Sequence, residues 1–188
     1  MNWLIAEDEA DIRNLVTMMC TVWGHTPITF ENGQKVWDWM DKIEAGELKG
    51  PLPELALMDI RMPGKRGNEL ALRMRSVDAL KNVPIVLMTA FALGEEEINR
   101  MKVDFGIDHI INKPLPDFDK LRTTLHDIIK RKAQQVAEGV ITVPAAASLP
   151  TVVNKPVDTG ILGIASPAAD AAPKPDAADT PPNHSPLN

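Results

Sequence analysis

Four short stretches of the sequence carry side chains that could act together on one substrate. Glu7-Asp8-Glu9 is a run of three carboxylates, and Asp59 closes the apolar run Leu55-Ala56-Leu57-Met58. Thr89 follows Pro84-Ile85-Val86-Leu87-Met88, and Lys113 lies within Asn112-Lys113-Pro114. Carboxylates packed together repel one another and call for a cation. An all-oxygen ligand set favours a hard ion, Mg²⁺ first under cellular conditions. Such a metal and Lys113 would neutralise a phosphoryl group brought to Asp59, and the Thr89 hydroxyl would donate a hydrogen bond to it. A carboxylate nucleophile, a metal and a lysine are the parts of aspartyl-phosphate chemistry. The protein's share of that chemistry is positioning and charge neutralisation. Taken singly, each residue has a bland reading. Asp8 would cap a helix, Asp59 would open a turn, Thr89 would end a strand, and Lys113 would be a solvated surface charge. The signal is their common placement, which depends on the elements that carry them.

The first 132 residues alternate strand and helix. Leu4-Ile5-Ala6, Thr26 to Phe30, Leu55 to Met58, Pro84 to Met88 and His109-Ile110-Ile111 read as strands. Between and after them, apolar residues recur at helical spacing: Ile12, Leu15, Val16 and Met19; Val36, Trp39, Met40 and Ile43; Leu70, Met74 and Val77; Ile98, Met101 and Phe105; Phe118, Leu121, Leu125 and Ile128. Gly24, Gly46 and Gly106 end helices, and Asp117 is placed to cap the last one. Several strands are continuous apolar runs, as in a parallel sheet covered by helices on both faces. The expected fold is therefore α/β, a doubly wound (βα)5 flavodoxin-like sandwich with strand order 2-1-3-4-5. Ligands of such sheets bind beyond the carboxyl ends of the strands. Glu7-Asp8-Glu9, Asp59, Thr89 and Lys113 all fall at that edge.

The composition bounds the alternatives. A chain of 188 residues with 44% apolar side chains can build one core, and a net charge of −6 argues weakly against direct binding to nucleic acid. One cysteine excludes a disulfide scaffold and a cysteine-based zinc cluster. No apolar stretch reaches the ~18 residues of a membrane span. Met1-Asn2-Trp3 leads at once into Leu4-Ile5-Ala6 and acid, without the basic start and long apolar core of a signal peptide. The expectation is a soluble cytoplasmic protein. Residues 133–188 differ in kind: they hold 9 of the 16 prolines, 12 alanines and no Trp or Phe. That segment reads as an Ala/Pro-rich disordered tail. Two short apolar runs, Val140 to Val143 and Gly160 to Ile164, interrupt it. Half of the net charge lies in each part, so the placement of the charge matters more than its sum.

LIAEDE, LALMDIRMPGKRGNEL, PIVLMTA and INKP resemble, in this order, the four signature blocks of response-regulator receiver domains, the CheY-like family of two-component signalling. The resemblance covers residues 1–132. It implies that Asp59 is the phosphoacceptor. It also implies that Glu7, Asp8, Asp59 and the backbone carbonyl of Arg61 hold Mg²⁺. Thr89 would be the switch hydroxyl and Lys113 the partner of the phosphoryl group. Lys113-Pro114 stands where the family usually has a cis peptide bond. A histidine kinase or phosphotransfer protein would be the donor, and the output would be binding to a downstream protein target or onward phosphotransfer. The resemblance leaves room for a phosphorylation-dependent dimer. Three departures stand out. Ile110, with His109 beside it, occupies the position of the usual switch aromatic. Arg66 stands where an acid is common. Glu7 replaces the commoner aspartate.

The resulting expectation is a stand-alone response regulator that is not a turnover enzyme. Its main rival is a receiver-like binding module that never uses phosphorylation. A phosphohydrolase of the haloacid dehalogenase type would need a second aspartate where Arg61 stands, as its general acid. No helix-turn-helix pattern follows the last helical stripe, so direct DNA binding is not expected. Lys130-Arg131-Lys132 reads as positive charge at a helix end. Cys20 reads as a small core residue and Trp39 as a likelier core member than Trp37. His25, His109, His126 and His184 show no metal-ligand spacing.

Overall fold

The structure is a computed structural model and describes residues 1–48 and 50–139. The elements run β1 (Asn2–Ala6), α1 (Ala10–Val22), β2 (Thr26–Phe30), α2 (Gly33–Glu44), β3 (Leu55–Asp59), α3 (Gly67–Ser76), β4 (Ile85–Thr89), α4 (Glu95–Phe105), β5 (His109–Asn112) and α5 (Phe118–Ala137). All strand pairs are parallel and the sheet order is β2-β1-β3-β4-β5. This is the expected flavodoxin-like arrangement.

Alternation along the strands builds two cores from one sheet. Leu4, Ala6, Ala56, Met58, Ile85 and Leu87 face α2 and α3, where Val36, Met40, Leu70 and Met74 are fully buried. Trp3, Ile5, Leu55, Leu57, Val86 and Met88 face α1 and α5 and meet Val16, Cys20, Leu121 and Leu125. Every residue of β3 and β4 is buried, which is why both strands read as unbroken apolar runs. Burial pushes the Cys20 thiol up to about 11, so it is packing rather than a reactive group. α4 contributes no fully buried residue and is held at its start by Glu95, Glu96 and Glu97, whose charge suits the helix N-terminus.

Three details depart from the sequence reading. α5 runs to Ala137, so residues 133–137, counted with the tail on composition, are helical. Residues 140–188 of the Ala/Pro-rich segment, with both of its apolar runs, lie outside the described residues. Lys132 is not a free charge at a helix end. It is 6% exposed and its Nζ lies 3.0 Å from Asp108 Oδ1. Trp37 and Trp39 are both half-buried on either side of α2's core stripe, Trp37 under the cations of Lys65 and Arg73 and Trp39 against Phe30.

The register sets the site. Ala6 pairs with Met58, Asp59 with Met88 and Thr89 with Asn112, so the strand ends finish level along one edge. Gly67 opens α3 under this edge. A Cβ there would run into the carbonyl oxygen of Asp59, so only glycine lets α3 approach so closely.

Candidate functional site

Glu7, Asp8 and Asp59 leave adjacent strands β1 and β3. Each offers a carboxylate oxygen, and the three oxygens lie within 4.8 Å of one another. Glu7 is fully buried and Asp59 is 5% exposed, whereas Asp8 is exposed at the mouth. Lys113 comes from the turn after β5 and spans them. Its Nζ lies 2.8 Å from Glu7 Oε2, 3.1 Å from Asp59 Oδ1 and 3.6 Å from Glu9 Oε1. It also donates a hydrogen bond to Glu7 Oε1 at 3.0 Å. Glu7 Oε2 has the ion pair but no aligned hydrogen bond, so a buried carboxylate oxygen keeps free acceptor capacity.

The charges hold one another in place. Burial pushes the Glu7 carboxyl above the usual carboxylate range, with Lys113 opposing and Asp59 reinforcing the shift. For Lys113, burial disfavours the ammonium, but its bonds to Glu7 and Asp59 prevail and raise its pKa. One lysine therefore faces three carboxylates that remain short of positive charge. Three hard oxygen donors on one concave edge fit a divalent cation such as Mg²⁺.

The backbone completes the cleft. The Arg61 N–H donates to Asp59 Oδ2 at 2.9 Å and so fixes the carboxylate's rotamer. The Lys113 N–H donates to the Thr89 carbonyl at 2.6 Å, tying β4 to the lysine turn, and Lys113-Pro114 is cis. Thr89 is 2% exposed, and its Oγ1 accepts from the Phe91 N–H at 3.1 Å, which leaves the hydroxyl proton free to donate. A cleft of about 200 Å³ is lined by Asp8, Asp59, Arg61, Thr89, Phe91 and Lys113 among others. Thus Glu7, Asp8, Asp59, Thr89, Arg61 and Lys113 converge as the sequence suggested. Ile110 and His109 do not reach the cleft lining. Ile110 packs half-buried against the α2–α3 side of the sheet, and burial lowers the pKa of the His109 imidazole.

Three contributors escaped the sequence reading. Arg13 donates to the carbonyls of Glu7 at 2.7 Å and Asp8 at 3.1 Å, locking the acidic loop from α1. Its only sequence signal was a cation one turn into the first helix. The Arg61 guanidinium lies 3.7 Å over the Phe91 ring, a stacked pair at the rim. Gly67 admits α3 to the Asp59 backbone.

The profile of the response regulator receiver domain matches residues 3–126. The chain is 27% identical over 148 residues to the phosphate regulon transcriptional regulatory protein PhoB of Escherichia coli K12, covering 79% of this chain and 60% of that protein. It thus spans about three fifths of the length of the PhoB relatives it matches. It is 27% identical over 130 residues to sporulation initiation phosphotransferase F of Bacillus subtilis, covering 69% of this chain and 94% of the relative. Among solved structures, chemotaxis response regulator CheY4 of Vibrio cholerae superposes with a TM-score of 0.55 at 20% identity, over 68% of this chain and 97% of that one. The receiver domain of a sensor histidine kinase from Pseudomonas aeruginosa PAO1, solved with a magnesium ion in its active-site cleft, gives 0.56 at 20% identity, over 69% of this chain and 97% of that one.

Proposed function

The chain belongs to the response regulator receiver family of two-component signalling, and on that premise we propose that Asp59 is the phosphoacceptor of a stand-alone, Mg²⁺-dependent response regulator. Receiver domains are signalling domains rather than turnover enzymes. The observation that carries the proposal is the convergence of Glu7, Asp8 and Asp59 within 4.8 Å, with Lys113 bridging Glu7 and Asp59.

The donor is a phosphorylated histidine of a kinase or phosphotransfer protein. A carboxylate oxygen of Asp59 forms the new P–O bond as the P–N bond to imidazole breaks, and the leaving imidazole takes up a proton from solvent. The Arg61 N–H holds Asp59 Oδ2, which leaves Oδ1 beside Lys113 as the natural attacking oxygen. Glu7, Asp8, Asp59 and the Arg61 carbonyl would hold the metal, which supplies charge neutralisation for the incoming phosphoryl group. Lys113 exchanges part of its pairing with Asp59 for a phosphoryl oxygen. Thr89 donates its free proton to another.

With Ile110 in place of an aromatic, the response of Thr89 passes to its own loop, through the Phe91 N–H bonded to its hydroxyl. Output is a shift between two surfaces on α4, β5 and α5 that a partner protein reads. Incubation with Mg²⁺ and a small acyl-phosphate donor, followed by intact mass, tests the reading. Wild type gains one acid- and base-labile phosphoryl group and Asp59→Asn gains none. No adduct under conditions that label other receivers overturns it.

A further inference from the structure

At the opposite edge of the sheet a second pair of titratable side chains meets. His25 lies in the turn before β2, and His126 lies on α5, 101 residues away in sequence. Their Nε2 atoms face each other at 3.1 Å. His25 stacks on the Trp3 ring at 4.3 Å, which fixes the plane of its imidazole. The Nδ1 of His126 lies 2.8 Å from the Arg122 carbonyl. That contact makes Nδ1 the protonated nitrogen and leaves a lone pair on Nε2. It is the outer-shell arrangement of metal-binding histidines, in which the second nitrogen donates to a carbonyl.

A hydrogen bond between the two rings satisfies the facing nitrogens. His25 Nδ1 is buried and has no partner. If His25 instead carries its proton on Nδ1, two lone pairs face each other across the gap, the state a cation stabilises. Burial, and then the neighbouring His126, the chain's N-terminal amine and Arg122, lower the pKa of His25, with Glu54 opposing.

We propose that His25 and His126 form a binding site for a late first-row divalent transition metal, Zn²⁺ or Cu²⁺, bound through their two Nε2 atoms and completed by water. With metal–nitrogen distances of ~2.05 Å, the observed separation gives an N–metal–N angle of roughly 98°, and an adjustment of about 0.3 Å reaches the tetrahedral value. Both rings are only half-buried. A surface cleft of about 310 Å³ on α5, lined by His126, Asp119, Arg122 and Asp127 among others, exposes one side of His126 to solvent. Imidazole suits this metal class, whereas the oxygen-only cleft around Asp59 suits Mg²⁺. The bound ion would fasten α5 to the turn before β2, independently of phosphorylation.

The test uses the full chain, stripped of metal and held in excess Mg²⁺ so that the acidic cleft is satisfied. Zn²⁺ is titrated calorimetrically into wild type, His25→Ala, His126→Ala and Asp8→Asn. Wild type and Asp8→Asn bind one ion alike, and each histidine variant binds more than about tenfold more weakly, a larger loss than that for removing only an outer-shell partner. His126→Gln, which keeps a polar side chain without the imidazole, guards against a folding defect. Electron paramagnetic resonance of bound Cu²⁺ in wild type shows hyperfine coupling to two nitrogens. Absence of Zn²⁺ binding by wild type, unchanged affinity in folded histidine variants, or a Cu²⁺ signal without two nitrogens overturns the proposal.

Discussion

Asp108, just before β5, anchors a buried charge network away from the acidic cleft. Its Oδ2 accepts from Arg75 Nη2 at 2.9 Å and from the Ile85 N–H at 2.8 Å, and its Oδ1 takes Lys132 Nζ at 3.0 Å. The side chains of Arg75 and Lys132 are 3% and 7% exposed. Arg75 also donates to the carbonyls of Gly106, Lys81 and Val83. Burial lowers the pKa of its guanidinium, and Asp108 opposes that shift. One carboxylate therefore joins α3, β4 and α5. Asp108→Ala leaves two buried cations and a strand N–H without their anion, and breaking a buried pair in this way costs about 3–5 kcal/mol. Arg75 keeps its carbonyl partners, which places the loss near the lower end, ~3 kcal/mol. Asp108→Asn retains an acceptor for Ile85 and loses about half as much. Lys132→Met costs only about 1–2 kcal/mol, because Arg75 still neutralises Asp108. Urea unfolding followed by far-UV circular dichroism measures each loss as a fall in midpoint at constant m. For a domain of this size, ~3 kcal/mol corresponds to roughly 10–15 °C in Tm. A loss below about 1 kcal/mol for Asp108→Ala would refute the claim that this charge holds the three elements together.

The acidic cleft makes a prediction of opposite sign. The folded pKa of Glu7 lies above its unfolded value of 4.5, so folding favours its neutral form and stability falls as pH rises from 4.5 through the folded value. Without divalent cations Glu7→Gln is therefore more stable than wild type at pH 7. The advantage fades toward pH 4.5 and reverses in saturating Mg²⁺, as thermal melts across pH will show. Asp8→Asn weakens Mg²⁺ binding by about tenfold or more in calorimetry, since it removes one of three carboxylate donors. Gly67→Ala costs about 1–3 kcal/mol by overpacking against the Asp59 carbonyl, and it slows phosphoryl labelling without altering any side chain of the cleft.

Much of this was legible because two simple patterns carried it. The fully buried β3 and β4 could only read as continuous apolar runs, and the ends of β1, β3 and β4 with the turn after β5 then had to deliver Glu7, Asp59, Thr89 and Lys113 to one edge. What stayed hidden depends on contacts distant in sequence. Lys132 looked like a helix-end charge because its partner Asp108 lies 24 residues earlier. The meeting of His25 and His126 has no local spacing, since an α1–β2 turn and the middle of α5 come together only through packing on Trp3. Arg13 acts on backbone carbonyls, which no residue pattern encodes. Residues 133–137 were counted with the tail because alanine and glutamine suit both a helix and a low-complexity segment.

The proposed function requires that Asp59, and no other carboxylate of the cleft, receives the phosphoryl group. Borohydride reduction of the protein after labelling with an acyl-phosphate donor and Mg²⁺, followed by peptide mass mapping, identifies the position. Reduction of an aspartyl phosphate leaves homoserine at the modified position. Homoserine is expected at position 59 alone, and absent when Mg²⁺ is chelated. Homoserine at position 8, its glutamate counterpart at position 7, or none on a labelled chain would contradict it.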